Sequence, residues 1–285
     1  MKILVTGRNG QLGFDVIREG QGRGFDIIGT GRSELDFTDY SAVQALISQI
    51  KPDAIIHCAA YTAVDKAESD KEECLKVNVQ GTKNLATVAR ELGAKFMYVS
   101  TDYVFDGKGD VPFIESDLPK PVGYYGLTKY EGEQTVQNLV ESSFIVRISW
   151  VFGINGNNFV KTMLRLAESR DQLNVVSDQY GSPTYTVDLA ILLLDMIQTN
   201  KYGVYHASNE GFCSWADFSR EIFEKSGKKV AVEGITTKEY PTPAVRPSNS
   251  RMSKQKLEDS GFRRLPLWQD ALRRFLNELS LEVKE

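Results

Sequence analysis

Tyr125 and Lys129 stand four residues apart in Tyr124–Lys129 (YYGLTK). On a helix that spacing puts both side chains on one face, where they reach a common point. A phenol beside an ammonium suits proton transfer to a carbonyl oxygen. Free tyrosine, with a pKa near ~10, is a reluctant acid at neutral pH. A neighbouring cation stabilises the tyrosinate and eases donation. Tyr124 is the internal control, five residues from Lys129 and off that face. The pair alone says little, because both residue types are common. Its context is stronger: Val99–Phe105 (VSTDYVF) ends a β-rich run with Ser100, Thr101 and Asp102. Strand ends of this kind face the ligand crevice of open α/β sheets. Thr101 is expected to hold a ketone oxygen and turn it towards Tyr125. Reducing a ketone also needs a hydride on carbon, so a hydride carrier must bind nearby.

Gly7-Arg8-Asn9-Gly10-Gln11-Leu12-Gly13 is the expected cradle for one. It follows the first apolar run and opens a helical stretch, the context a dinucleotide-binding turn requires. Gly7 permits the tight turn, Gly10 lets backbone amides approach a pyrophosphate, and Gly13 lets helix and strand pack closely. Gln11 and Leu12 belong to the same turn. The competing reading is a plain strand-to-helix turn. NAD-selective sites usually carry an acid at the end of the second strand; here that strand ends Gly29-Thr30-Gly31-Arg32, with no carboxylate before Glu34. Arg32 and Arg8 are both placed to approach a ribose 2′-phosphate, while Asp36 dilutes the preference. The expectation is NADPH preferred and NADH usable.

The elements that must position these groups alternate. Short apolar runs at Lys2–Thr6, Phe25–Thr30, Ala54–Cys58, Lys95–Ser100 and Phe144–Ile148 are separated by helical stretches, including a long one at Lys71–Leu92. That order implies right-handed βαβ units and an α/β fold, a Rossmann-type doubly wound parallel sheet. After Trp150 the pattern loosens. Helices are expected at Phe159–Ser169, Val187–Thr199, Trp215–Ser226 and Trp268–Leu279, and short strands at Leu173–Val176 and Val204–His206. Tyr240–Pro247 (YPTPAVRP) is too proline-rich for helix or central strand. The expected division is a dinucleotide-binding unit at 1–150, with 173–206 returning to it, and a smaller α/β substrate-binding lobe from 151–172 and 207–285.

Bulk properties exclude several classes. The chain has 285 residues and a formal charge of −4 with both signs interspersed, so no global field draws it to nucleic acid or anionic lipid. Cys58, Cys74 and Cys213 are far apart and lack metal-ligand spacing, which favours plain buried thiols. Met1 leads directly into a strand pattern without a charged leader and hydrophobic segment, and no apolar run approaches a membrane span. A cytoplasmic protein without nucleic-acid or membrane partners, monomeric or homodimeric, is expected.

The G-x-x-G-x-x-G spacing resembles the extended branch of the short-chain dehydrogenase/reductase family. Asp36-Phe37 looks like that family's adenine-flanking acidic pair, Cys58-Ala59-Ala60-Tyr61 like its cofactor-facing turn, and Asn78 like its fourth-helix asparagine. STDYVF (Ser100–Phe105), YGLTK (Tyr125–Lys129), SWVF (Ser149–Phe152), NNFVKTMLRL (Asn157–Leu166), DQYGSPT (Asp178–Thr184) and YPTPAVRPSNSR (Tyr240–Arg251) resemble the dTDP-4-dehydrorhamnose reductase family, over residues 1 to about 279. The resemblance implies reduction of a dTDP-linked 4-ketohexose at C4 to give dTDP-L-rhamnose. It implies Thr101, Tyr125 and Lys129 as catalytic residues, and Ala59, Ala60 and Tyr61 beside the cofactor. By the same match Thr101, Asp102 and Trp150 touch the sugar, while Arg246, Asn249, Ser250 and Arg251 lie near the diphosphate or close the pocket. Some members hold a divalent metal through acidic side chains. Here Asp15 stands at one such position but no glutamate precedes Asp188, and His57 and His206 are isolated, so no metal is expected. Two other readings compete: another sugar-nucleotide epimerase or dehydratase, and a non-catalytic dinucleotide-binding regulator. A dehydratase would place a second acid after Asp102, where this chain has Tyr103. A regulator would be free to lose Thr101, Tyr125 or Lys129.

Overall fold

The computed structural model describes residues 1–282. The first half runs β1 (Lys2–Thr6), α1 (Gln11–Gly22), β2 (Asp26–Thr30), α2 (Tyr40–Ile50), β3 (Ala54–His57), α3 (Val64–Ala67) and α4 (Lys71–Leu75). A π-helical turn at Lys76–Gly81 then leads to α5 (Thr82–Leu92), β4 (Lys95–Thr101), α6 (Tyr124–Leu139) and β5 (Ser143–Ile148). The second half adds β6 (Val151–Phe152), α7 (Phe159–Leu166), β7 (Gln172–Val176), β8 (Tyr180–Gly181), β9 (Thr184–Tyr185), α8 (Thr186–Ile197) and β10 (Gly203–His206). It ends with β11 (Cys213–Ser214), α9 (Trp215–Ser226), β12 (Ala231–Ile235), α10 (Gln255–Asp259) and α11 (Trp268–Glu282).

Six strands form one parallel sheet in the order β10-β5-β4-β3-β1-β2. Every residue of β3 and β5 is buried, as expected for strands covered on both faces. One face packs Ile3, Val5, Met97 and Val146 against Leu189 and Leu193 of α8. The other packs Leu4, Ile55, Phe96 and Ile145 against Leu85 and Ala89 of α5. A separate core around Phe152, Phe218, Phe223, Trp268 and Phe275 holds the smaller lobe.

Local signals place the helix ends. Asp39 accepts hydrogen bonds from Ser41 N and Ala42 N at the start of α2, and Ser214 with Asp217 forms a capping box on α9. Gly93 closes α5 at φ +67°, a conformation glycine enters without a Cβ penalty.

Two features differ from the sequence pattern. Within 173–206, α8 packs on α1 and β10 hydrogen-bonds β5, but β7 stays out of the large sheet. It pairs in parallel with β12, a strand whose Ala231–Ile235 (AVEGI) carries too little apolar alternation to announce itself. The stretch Lys71–Leu92 is not one helix. The π turn lets Asn78 face inward, where its Nδ2 donates to Thr128 Oγ1 and its Oδ1 accepts from Tyr61 N. The last three residues of the expected substrate lobe, 283–285, lie outside the described residues. Among the described residues no helix is long and apolar enough to cross a membrane.

Candidate active site

The carboxyl ends of β1, β3, β4 and β5 open into one cavity of about 1130 Å³ between the two lobes. At one end lies the glycine turn. Gly7 sits at φ +76°, and a Cβ there would stand 2.9 Å from Ala59 N. At Gly13 a Cβ would fall 2.2 Å from Gly7 O, so helix and strand can approach only without side chains. Gly10, Gln11, Leu12, Ala59, Ala60 and Tyr61 line the same end, and Arg32, Asp36 and Phe37 line its rim. Gln11 also ties the lobes together: its Oε1 accepts from Gly153 N (2.9 Å) and Asn158 Nδ2 (3.0 Å).

At the centre, Thr101, Asp102, Tyr125 and Lys129 line the cavity together, while Tyr124 does not. Tyr124 N instead donates to Glu68, and Lys71 Nζ lies 5.2 Å from the Tyr124 ring. Thr101 Oγ1 donates to Asp102 Oδ1 (3.0 Å) and accepts from Tyr103 N (3.2 Å). Burial pushes the Asp102 carboxyl up to about 6. The Tyr125 phenol is held above its ordinary value by burial and then by the Asp102 charge, with the Thr101 hydroxyl pulling the other way. Lys129 Nζ donates to Val99 O (2.8 Å), and burial draws its pKa down to about 7. Among the described residues, two buried polar atoms on the cavity wall, Ser100 Oγ and Asp102 Oδ2, have no hydrogen-bond partner, although the nearby Ser250 hydroxyl tempers the Asp102 shift. Buried polar atoms are normally paired, so these fit a site shaped for a polar ligand.

At the far end Trp150 sits at φ +48°, rare for a bulky residue and a mark of functional geometry. Its ring stacks on Trp215 with centroids 3.6 Å apart and planes 13° apart. Gly181 makes room, since a Cβ there would meet the Trp150 ring at 2.7 Å.

Four expected substrate residues, Arg246, Asn249, Ser250 and Arg251, lie off the cavity lining. Asn249 spends its side chain on backbone: Nδ2 donates to Lys108 O and Val111 O, and Oδ1 accepts from Arg251 N and Nη1. Through these bonds Asn249 clamps the 107–111 loop. Arg251 lies over the Tyr180 ring at 4.3 Å. Arg246 pairs with Asp65 Oδ2 (2.5 Å) and donates to Tyr103 Oη (3.0 Å), closing a strap over the loop after β3. Nor does Arg8 line the cavity, since it turns to Glu34 at 3.4 Å.

A family model described as the RmlD substrate binding domain matches residues 1–281. The chain belongs to that family. A dTDP-4-dehydrorhamnose reductase of Sinorhizobium fredii is 41% identical over 297 residues, covering 100% of both chains. The crystal structure of a dTDP-4-dehydrorhamnose reductase from Clostridium acetobutylicum superposes with a TM-score of 0.96 at 43% identity, over 98% of this chain and 100% of that one. The Bacillus anthracis dTDP-4-dehydrorhamnose reductase, solved in complex with NADP, gives 0.95 at 43% identity, over 97% and 99%. In this RmlD-family chain several wall residues were not singled out from the sequence as site residues: Asn9, Tyr103 and Phe159, which lie inside quoted motifs, and Thr38, Thr62 and Trp215, which do not. Trp215 was legible as the first residue of α9, but its stacking on Trp150 depends on the fold of the second lobe.

Proposed function

We propose that this chain reduces the C4 ketone of dTDP-4-dehydrorhamnose to give dTDP-L-rhamnose. The observation that carries the reading is one cavity with a side-chain-free glycine turn at one end, Thr101, Tyr125 and Lys129 at its centre, and the Trp150–Trp215 stack at the other. The full-length relatives named for this reaction supply the substrate. Gly7, Gly10 and Gly13 hold the pyrophosphate of the nicotinamide dinucleotide, with Ala59, Ala60 and Tyr61 along it and Asp36 and Phe37 beside the adenosine. When bound, the nicotinamide supplies the hydride. Lys129 holds its ribose and contributes positive charge beside Tyr125.

Thr101 orients the ketone oxygen, and Tyr125 delivers the proton to it. The alkoxide left after hydride arrival is more basic than a phenolate, so the proton moves downhill even from a phenol held above its ordinary value. Asp102 accepts from a sugar hydroxyl through its free Oδ2, and Trp150 packs on the sugar face. NADPH is the preferred donor through Arg32, NADH is usable, and no metal takes part. Incubating the purified protein with dTDP-glucose, the two enzymes that convert it to the 4-keto-L-sugar, and NADPH tests the reading. Formation of dTDP-L-rhamnose with stoichiometric NADPH loss is expected. A product epimeric at C4, or no NADPH consumption, would overturn it.

A further inference from the structure

Lys129 is 3% exposed, yet among the described residues no carboxylate lies within 4 Å of its ammonium. Its Nζ has one hydrogen bond, to Val99 O, and stands 4.0 Å from the Tyr98 ring centroid. Four titratable groups close to it, on and just after β3, on α4 and on β4, are neutral. His57 on β3 is drawn down to about 3 by burial, and the Cys58 thiol is pushed up to about 12. Cys74 on α4 and Tyr98 on β4 are likewise raised by burial. A buried ammonium among neutral groups loses its proton readily.

One turn further along α6, on the same face, lies Glu133, 1% exposed. Its carboxylate is gripped by Arg147 of β5, Nε to Oε1 at 2.9 Å and Nη2 to Oε2 at 2.7 Å. Arg147 is 3% exposed, with the Phe105 ring 5.0 Å from its guanidinium and His206 Nε2 3.5 Å from Nη1. Such pairs seldom repay their desolvation, and apolar side chains of similar volume would fill the space at no loss. This one is a dipole with its negative end on the helix of Lys129 and its positive end towards β10. Glu133 is the leading influence raising Lys129 against the effect of burial.

We infer that Glu133, oriented by Arg147, is a positioning residue that keeps Lys129 charged while Tyr125 delivers its proton. The inference rests on the role given above to Lys129.

The test is the pH dependence of kcat/KM for NADPH oxidation with enzymatically generated dTDP-4-dehydrorhamnose. Activity that needs charged Lys129 is lost as pH rises through its pKa. Glu133→Gln should move that basic limb down by about one pH unit, so the loss is about tenfold above the limb and small well below it. Because a lone buried Arg147 destabilises the fold, Glu133→Met with Arg147→Met is measured alongside. That double variant should melt near wild type and still show the lowered limb. A wild-type limb in a folded Glu133→Gln protein, or its return in the double variant, overturns the inference. Lys129→Met separates the two claims. If it abolishes turnover while Glu133→Gln leaves the profile unchanged, only the Glu133 inference fails. If Lys129→Met itself keeps turnover and the limb, the role of Lys129 fails first.

Discussion

Two walls of the molecule are built on opposite principles: one lines the cavity, and the other, the strap, lies off its lining. On the glycine-turn side, backbone forms the surface: Gly7 and Gly13 remove the Cβ atoms that would block close approach, and α1 presents free amides. Off the lining, the strap from Tyr240 to Arg251 has polar side chains that are already engaged. Arg246 is held by Asp65 and Tyr103, Asn249 by two carbonyls, and Arg251 by Asn249 and the Tyr180 ring. The first wall is open to a ligand and the second is spent on holding loops. Substitutions in the first should therefore change ligand affinity or chemistry, and substitutions in the second should change stability or loop position.

The largest effect is expected at the centre of the cavity. Tyr125→Phe removes the proton donor and should cut kcat by ~10²–10⁴-fold, with NADPH affinity nearly unchanged. Tyr124→Phe should leave turnover close to wild type, since that ring lies outside the cavity. Steady-state kinetics of the two variants check this, and comparable activity in both would remove Tyr125 from its role.

Asn249→Ala comes next and tests the second wall. It strips the donor from Lys108 O and Val111 O on the exposed 108–111 loop, where water can replace it, so a stability loss of ~0.5–1.5 kcal/mol is expected by denaturant unfolding. KM for NADPH should stay put. A stable variant with a raised sugar-nucleotide KM would return Asn249 to the ligand side. Arg246→Ala breaks a partly exposed ion pair, which contributes only about 1 kcal/mol. Its main readout is a several-fold rise in sugar-nucleotide KM, because the strap over the loop after β3 loosens. Equal weakening of NADPH would show that the strap also braces the first wall.

The same contrast explains what was legible in the sequence. The glycine turn, Thr101 and the Tyr125–Lys129 pair sit at strand ends and on one helix face, where local pattern dictates direction. The five apolar runs of the first half read correctly for the same reason. The strap residues were harder. Nothing near Asn249 in sequence reveals that Val111, 138 positions away, supplies the carbonyl it binds. Parallel pairing of β7 with β12 is likewise non-local, and the π turn at Asn78 arises from contacts to Tyr61 and Thr128 that a helical periodicity conceals. Trp150 was visible by type, whereas its left-handed backbone and its stacking on Trp215 follow from the second lobe.

The smallest effect expected is on cofactor choice, and it probes the first wall at its rim. Arg32 has a side chain 88% exposed, lines the cavity and pairs loosely with Glu73 at 3.6 Å. Arg8 is already turned to Glu34, whose other oxygen accepts from Gly31 N at 2.8 Å. Asp36 is engaged as well, its Oδ1 accepting from Thr38 N and Oγ1, so its repulsion of a 2′-phosphate is softened. Arg32 is thus the better placed of the two cations. An exposed contact is screened by water and salt, which limits its worth to about 1 kcal/mol and makes it fall as ionic strength rises. Arg32→Ala should raise KM for NADPH several-fold while leaving NADH unchanged, and added KCl should narrow the wild-type preference in the same direction. Measuring kcat/KM for both cofactors at low and high salt decides it. A wild type that favours NADH, or an Arg32→Ala protein unchanged with NADPH, would remove Arg32 from the 2′-phosphate while leaving the backbone-built pyrophosphate cradle as it stands.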